Sequence, residues 1–237
     1  MWNSSELKAR GKAAMKANYG WTLVVSLILS FCTASSAGAS GSGMKNDNVS
    51  SQFSNLDIST EALVGIIAAI VAVIAVALIF ACILDILVLN PLVVGCQNFF
   101  IKNSDEPAEF GELKRGFSPS WKNNVVTMFL TDLFIFLWSM LFIIPGIVKS
   151  YSYRLVPYLM AENPDLQGTE AITLSRKLMN GNKWKAFCFD LSFIGWFILS
   201  IVTCGLLAIF YVVPYYNCSC AELYKAIRDE GNVQEQY

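Results

Sequence analysis

Charged side chains set inside apolar stretches, and one C-x-C pair, are the features of this 237-residue chain from which chemistry could be built. Asp132 lies inside the apolar stretch Val125 to Val148, roughly 14 Å deep at 1.5 Å per residue. An ionised carboxylate at that depth is costly unless it is paired or hydrated, which makes Asp132 the first candidate for a functional group. Arg154 follows Pro145-Gly146 in the chain, and its side chain is long enough to reach a carboxylate on a neighbouring helix. The expected pair is Arg154 with Asp132, or Arg154 with Asp190. The plainer alternative is that these charges fix helix register or snorkel to the nearer interface and hold no substrate.

The remaining inventory argues against catalysis. Histidine is absent, which removes the commonest general base and metal ligand. Cys218-x-Cys220 has no second pair nearby, and Cys32, Cys82, Cys188 and Cys204 fall in or at the ends of apolar runs, where cysteine packs as a small hydrophobe. No phosphate-binding glycine loop, H-E-x-x-H or G-x-S-x-G occurs. The reading is therefore no enzyme, no metal and no cofactor. A net charge of -1 and a pI near 5.5 supply no basic field for nucleic acid.

Long apolar stretches must position these charges. Ala62 to Leu84 runs without a charge, Val125 to Val148 and Ala186 to Val213 are apolar apart from one aspartate each, and Trp21 to Cys32 is shorter. A bilayer core about 30 Å thick needs about 20 apolar residues. With 55% hydrophobic and 15% charged residues and a mean hydropathy of +0.50, the chain reads as an all-α integral membrane bundle forming a single domain over residues 1–237. The first stretch is read as an uncleaved span rather than a secretory signal.

Two paths compete for the number of segments. Four single crossings would leave Lys149, Arg154, Arg176, Lys177, Lys183 and Lys185 outside, against the preference of positive residues for the cytoplasm. About six transmembrane or re-entrant helices arranged as helical hairpins, with turns at Pro145-Gly146 and Gly205, leave only Lys45 plainly outside. Proline cannot continue a helix, and glycine accepts the left-handed conformation that ends one. The six-segment path is preferred. It places residues 1–18 as a cytoplasmic leader, 35–60 as an external flexible loop, 162–185 as a cytoplasmic amphipathic segment and 222–237 as a cytoplasmic tail. Glu162, Asp165 and Glu170 read as solvated loop charges.

An internal repeat supports the hairpins. Asp132-Leu133, Trp138, Pro145-Gly146 and Pro157-Tyr158 align with Asp190-Leu191, Trp196, Gly205 and Pro214-Tyr215, and Asn90-Pro91-Leu92 closes an earlier unit. The aromatic residues beside lysines or amides at the unit starts, Tyr19, Trp21, Trp121 and Trp184, read as interfacial anchors.

Several of these motifs together carry a resemblance. Asn90-Pro91-Leu92-x-x-Gly95, Ile144-Pro145-Gly146-Ile147, Tyr151-Ser152-Tyr153, Ala161-Glu162-Asn163-Pro164, Ala171-Ile172-x-x-Ser175, Met179-x-Gly181-x-Lys183 and Leu191-Ser192-Phe193-Ile194-Gly195-Trp196 resemble the uncharacterised bacterial multi-pass membrane family known as domain of unknown function 975. The likeness takes in nearly the whole chain outside the Ser35 to Thr60 loop. It implies a bacterial cytoplasmic-membrane protein of helical hairpins and supplies no catalytic residues. The I-P-G turn and the amphipathic helix after it are more faintly similar to the membrane domain attached to some glycerophosphodiester phosphodiesterases, none of whose phosphodiesterase residues occur here. The expected function is a non-enzymatic scaffold or accessory protein that contacts the lipid bilayer and other membrane proteins. The alternative is a small transporter using Asp132 and Arg154.

Overall fold

The computed structural model describes residues 2–37, 60–117 and 120–235. Among them the chain is mostly helical, without a strand. An N-terminal helix α1 (Ser4–Ala17) precedes three units. Unit one holds α2 (Tyr19–Ala37), α3 (Thr60–Leu84), a π-helical turn (Asp85–Leu89), α4 (Asn90–Asn103) and a 3-10 segment (Phe110–Phe117). Unit two holds α5 (Trp121–Leu141), α6 (Ile143–Tyr153), α7 (Val156–Glu162) and α8 (Gly168–Leu178). Unit three holds α9 (Lys183–Leu191), α10 (Ile194–Val202), a second π-helical turn (Ala208–Val212) and α11 (Val213–Glu235). The bulk of the loop expected to be external lies outside the described residues.

Proline explains why the second arm of each unit is broken. Pro91, Pro157 and Pro214 each stand second in their helix, after a π turn in units one and three and after the break at Arg154-Leu155 in unit two. A proline has no N–H for the carbonyl four residues earlier and crowds it, so the preceding turn widens or stops. Leu87 and Phe210 are the residues four before Pro91 and Pro214. The Leu87 carbonyl accepts from Trp121 Nε1 at 3.1 Å, and the Phe210 carbonyl accepts from the Tyr19 hydroxyl at 2.6 Å. Trp121 opens unit two and Tyr19 opens unit one, so the first arm of one unit closes the backbone of another. Two residues expected to be interfacial anchors thus also fill carbonyls that proline leaves open.

The same order recurs in the polar contacts. Asp132 of unit two accepts from Asn90 of unit one, and Asp190 of unit three is held by Arg154 of unit two. With Tyr19 joining unit one to unit three, the three units form a closed ring. Their second arms meet inside it, where Tyr158 and Tyr224 stack with centroids 5.2 Å apart. The core there is built from Phe99, Phe100, Leu159, Met160, Leu223 and Ile227, all almost fully buried.

The first and last described helices belong to this core. Helix α1 starts at Asn3, whose side chain accepts from the Ser5 N–H at 3.0 Å, and it packs on α11. Gly11 permits the approach, since a Cβ there would lie 2.7 Å from the Ser219 Cα. Arg10 pairs with the buried Glu222 at 2.6 Å. The residues from 222 onward, expected as a tail, continue α11 with Leu223, Tyr224 and Ile227 buried. Sequence patterning reads a mixed polar and apolar run as solvated, whereas here alternate helix faces meet α1 and the ring. Two charges expected in solvated loops are also engaged: Glu162 is gripped by Arg228 and accepts from the Tyr224 hydroxyl at 2.5 Å, and Glu170 accepts the Gln167 N–H at the start of α8.

The 3-10 segment lies on α4 with backbone against backbone. A Cβ at Gly95 would run into the Leu113 carbonyl, and one at Gly116 into that of Pro91. Glu112 fastens the contact, taking Lys102 Nζ at 2.7 Å and Asn98 Nδ2 at 3.0 Å. The Lys102 bond, helped by Asn98, holds the Glu112 carboxyl below its ordinary value. This contribution is complete above the ordinary carboxylate pKa of about 4.3 and is lost as pH falls through the lower folded value. Hydrogen exchange of residues 110–117 is expected to accelerate in the acid range below that pKa in the native chain. In Glu112→Gln the exchange, corrected for its intrinsic pH dependence, should show no such step.

Two chain reversals differ in position from expectation or match it. The first falls at Phe142, whose backbone is extended (φ -155, ψ 142), so Pro145 and Gly146 lie in the first turn of α6 rather than at the turn. Proline is accommodated there because the first helical N–H groups have no partner in any case. Gly146 instead lets α6 close on α5, where a Cβ would meet Ser139 Cα at 2.8 Å. The second reversal runs through Thr203, Cys204 and Gly205, with Gly205 at φ +83.

Three stretches, Val64–Asn103, Trp121–Leu141 and Lys183–Val202, are long and apolar enough to cross a membrane, and Tyr19–Thr33 is a shorter apolar helix. Every residue from Val64 to Leu84 is exposed. Around the two reversals Ile143 and Ile201 are each 78% exposed. The 11 residues of α6 span about 16 Å, roughly half a bilayer core.

Candidate functional site

The densest polar cluster lies where unit two meets unit three. Arg154 directly follows α6, at the break its helix makes before Pro157, and Asp190 sits in the last turn of α9. Arg154 grips Asp190 with both ends of its guanidinium, Nη1 to Oδ2 at 2.7 Å and Nη2 to Oδ1 at 2.9 Å. The Tyr151 hydroxyl donates to Oδ2 at 2.9 Å and the Tyr216 hydroxyl to Oδ1 at 3.0 Å. Arg154 Nη2 also donates to the Tyr216 oxygen at 3.0 Å and to Cys220 Sγ at 3.2 Å. Both charged side chains are less than a quarter exposed.

The arrangement is a clamp. Each Asp190 oxygen accepts from two donors, and the planar Arg fork matches the carboxylate in the bidentate geometry that is strongest for this pair. The aromatic surroundings reinforce the fix: Phe193 contacts Tyr216 edge-on at 5.2 Å, and Tyr151 meets Phe187 at 6.1 Å.

Of the two pairings expected for Arg154, the one formed is with Asp190. Asp132 lies elsewhere, one turn beyond the buried Met128, and its Oδ2 accepts from Asn90 Nδ2 at 3.2 Å. Asp132 and Arg154 therefore face different interfaces of the ring, the first between units one and two and the second between units two and three. Tyr151, Tyr216 and Asn90 were not singled out as partners for the charges. The available signal was the spacing: Tyr151 stands six residues before Pro157, on the face that Arg154 shares one turn later, and Asn90 directly precedes Pro91.

Cys218 and Cys220 are free and buried, and Cys220 serves as an acceptor for Arg154. Among the described residues no group of three or more metal-ligating side chains converges.

Fold and cluster together define a protein, all-helical among the described residues, of three hairpin-like units, two of which are joined by the Arg154–Asp190 pair. Residues 122–231, which take in nearly all of units two and three, match the model of the family described as "Protein of unknown function (DUF975)". The Asn90-Pro91 motif and the rest of unit one lie outside that match. Comparison with curated proteins and with solved structures gives no match.

Proposed function

We propose that this chain is a non-enzymatic integral protein of the bacterial cytoplasmic membrane, a scaffold or accessory subunit that contacts lipid and partner proteins through its apolar helix faces. The observation that carries this reading is α3, an apolar helix exposed on every side from Val64 to Leu84. A helix hydrophobic all round is stable only when buried in protein or lipid. The self-contained bonding of Arg154, Asp190, Tyr151 and Tyr216 supports a structural use of the embedded charges. The transporter reading had Asp132 and Arg154 lining one path, and their separate partners weigh against it.

In this reading α3 crosses the bilayer. The reversals at Phe142 and Gly205 enter it, and the α1–α11 pairing, the 3-10 segment and α8 lie on the cytoplasmic side. Of the 17 basic residues, those of α1, the 3-10 segment, α8, α9 and α11 then share that side, as the positive-inside rule favours.

Two measurements test it. The chain should stay with the membrane through alkaline carbonate washing and leave it only in detergent. A single cysteine at the exposed Gln167, in a cysteine-free background, should react with a membrane-impermeant maleimide only after cells are opened. Labelling of intact cells would put the α7–α8 connection outside and remove the cytoplasmic assignment.

A further inference from the structure

We propose that the apolar cleft between α6 and α9, together with the cations grouped beside it, binds one anionic phospholipid. The inference deepens the membrane reading and rests on it. The cleft, about 210 Å³, is lined by Ile147, Val148, Tyr151, Lys183, Trp184 and Phe187. Trp184 is 72% exposed and stacks at a tilt on Phe187, with centroids 5.3 Å apart. An indole set beside lysines at the edge of an apolar surface is the arrangement found at headgroup depth.

Charge decides which lipid. Lys149 follows the cleft residue Val148 on α6, which α8 meets through the Ser175 hydroxyl donating to the Ser152 carbonyl at 2.8 Å and α9 meets through Phe187 against Tyr151; Arg176 adjoins Ser175, Lys183 lines the cleft, and both bear on Lys149 as like charges. Three helices therefore bring three cations together. Among the described residues none of the three forms an ion pair with a carboxylate; Asp190, the carboxylate bonded by the cleft residue Tyr151, is already occupied by Arg154. Lys149 instead lies over the Trp138 ring at 4.6 Å. Like charges held together by the fold call for a shared counter-ion, and the phosphodiester of an anionic lipid offers one to all three while its acyl chain runs along Ile147, Val148 and Phe187. A free phosphate would satisfy the cations and leave the apolar cleft unfilled, so the lipid is the occupant to which the geometry points.

The test uses Trp184 as the reporter. The full chain is reconstituted in phosphatidylcholine vesicles carrying a small fraction of brominated phosphatidylglycerol or, in parallel, brominated phosphatidylcholine. The Trp184 signal is taken as the difference between the native chain and Trp184→Phe. The brominated anionic lipid is expected to quench that signal at much lower mole fraction than its zwitterionic counterpart. Each cation removed should reduce the preference about fivefold, so Lys149→Gln with Lys183→Gln should lower it by more than tenfold. Arg176→Gln, on the exposed face of α8, should lower it about fivefold and serves should the double variant fail to fold. Equal quenching by both lipids would overturn the site and leave the membrane reading standing. Loss of the preference on adding millimolar inorganic phosphate, at constant ionic strength, would overturn it in favour of a free anion. Absence of quenching by either lipid would overturn both.

Discussion

Replacing Arg154 with Met is expected to cost about 3–5 kcal/mol of stability, the loss seen when one partner of a buried ion pair is removed and the other stays charged. Asp190 would keep the Tyr151 and Tyr216 hydroxyls and lose both guanidinium bonds. Adding Asp190→Asn should recover a large part of the loss, because a neutral amide can stay with the two tyrosines without a counter-charge. The four variants form a double-mutant cycle readable by unfolding of the purified chain in mixed micelles. A coupling of about 1–3 kcal/mol is expected. If Arg154→Met unfolds like the native chain, the clamp is not what joins units two and three. If it folds normally and loses a transport or binding activity measured in vesicles, the scaffold reading fails instead.

The second large effect concerns Gly116. Its missing side chain lets the 3-10 segment press on α4, where a methyl group would strike the Pro91 carbonyl and come within 2.8 Å of its carbon. Both sides of the contact are backbone, so neither can give way by changing a rotamer. Gly116→Ala should therefore displace the segment, at a cost of about 1–3 kcal/mol from overpacking and with loss of the Asn124 Nδ2 bond to the Gly116 carbonyl, now 3.0 Å. Gly95→Ala, which meets the Leu113 carbonyl from the other side, should behave alike. Gly65→Ala, in the second turn of exposed α3, meets nothing within 4 Å and should change stability by no more than about 1 kcal/mol. Limited proteolysis between residues 104 and 120 would report the displacement, and equal resistance of all three variants would show that the 3-10 segment is not docked through these glycines.

Much of the architecture was legible in the residues because its causes are local. Helix class followed from apolar runs long enough to cross a bilayer. The repeat followed from recurring Asp, Trp, Gly and Pro, and the three prolines fall where the second arms break. The reversal at Gly205 was legible because glycine takes positive φ without cost, although Cys204 before it adopts positive φ as well. The reversal three residues before Pro145 was not, since Pro145-Gly146 fits the start of a helix as well as the end of one, and only the packing of Gly146 on Ser139 separates the two.

Which charges meet was decided in three dimensions. Asp132 and Asp190 hold equivalent places in their units, and both stand within reach of a basic partner by sequence spacing alone. The ring order sets the outcome: the first arm of each unit packs on the second arm of the unit before it, which gives Asp190 to Arg154 and Asp132 to Asn90. The burial of α11 against α1 is of the same kind. The mixed polar and apolar part of this helix from residue 222 onward reads as a tail until its partner is known, because burial is a property of two surfaces. Hydropathy is additive along the chain and can be read residue by residue. Pairing of charges and closure of the ring depend on contacts between residues more than 30 positions apart, as with Arg154 and Asp190, and these the folded arrangement alone selects.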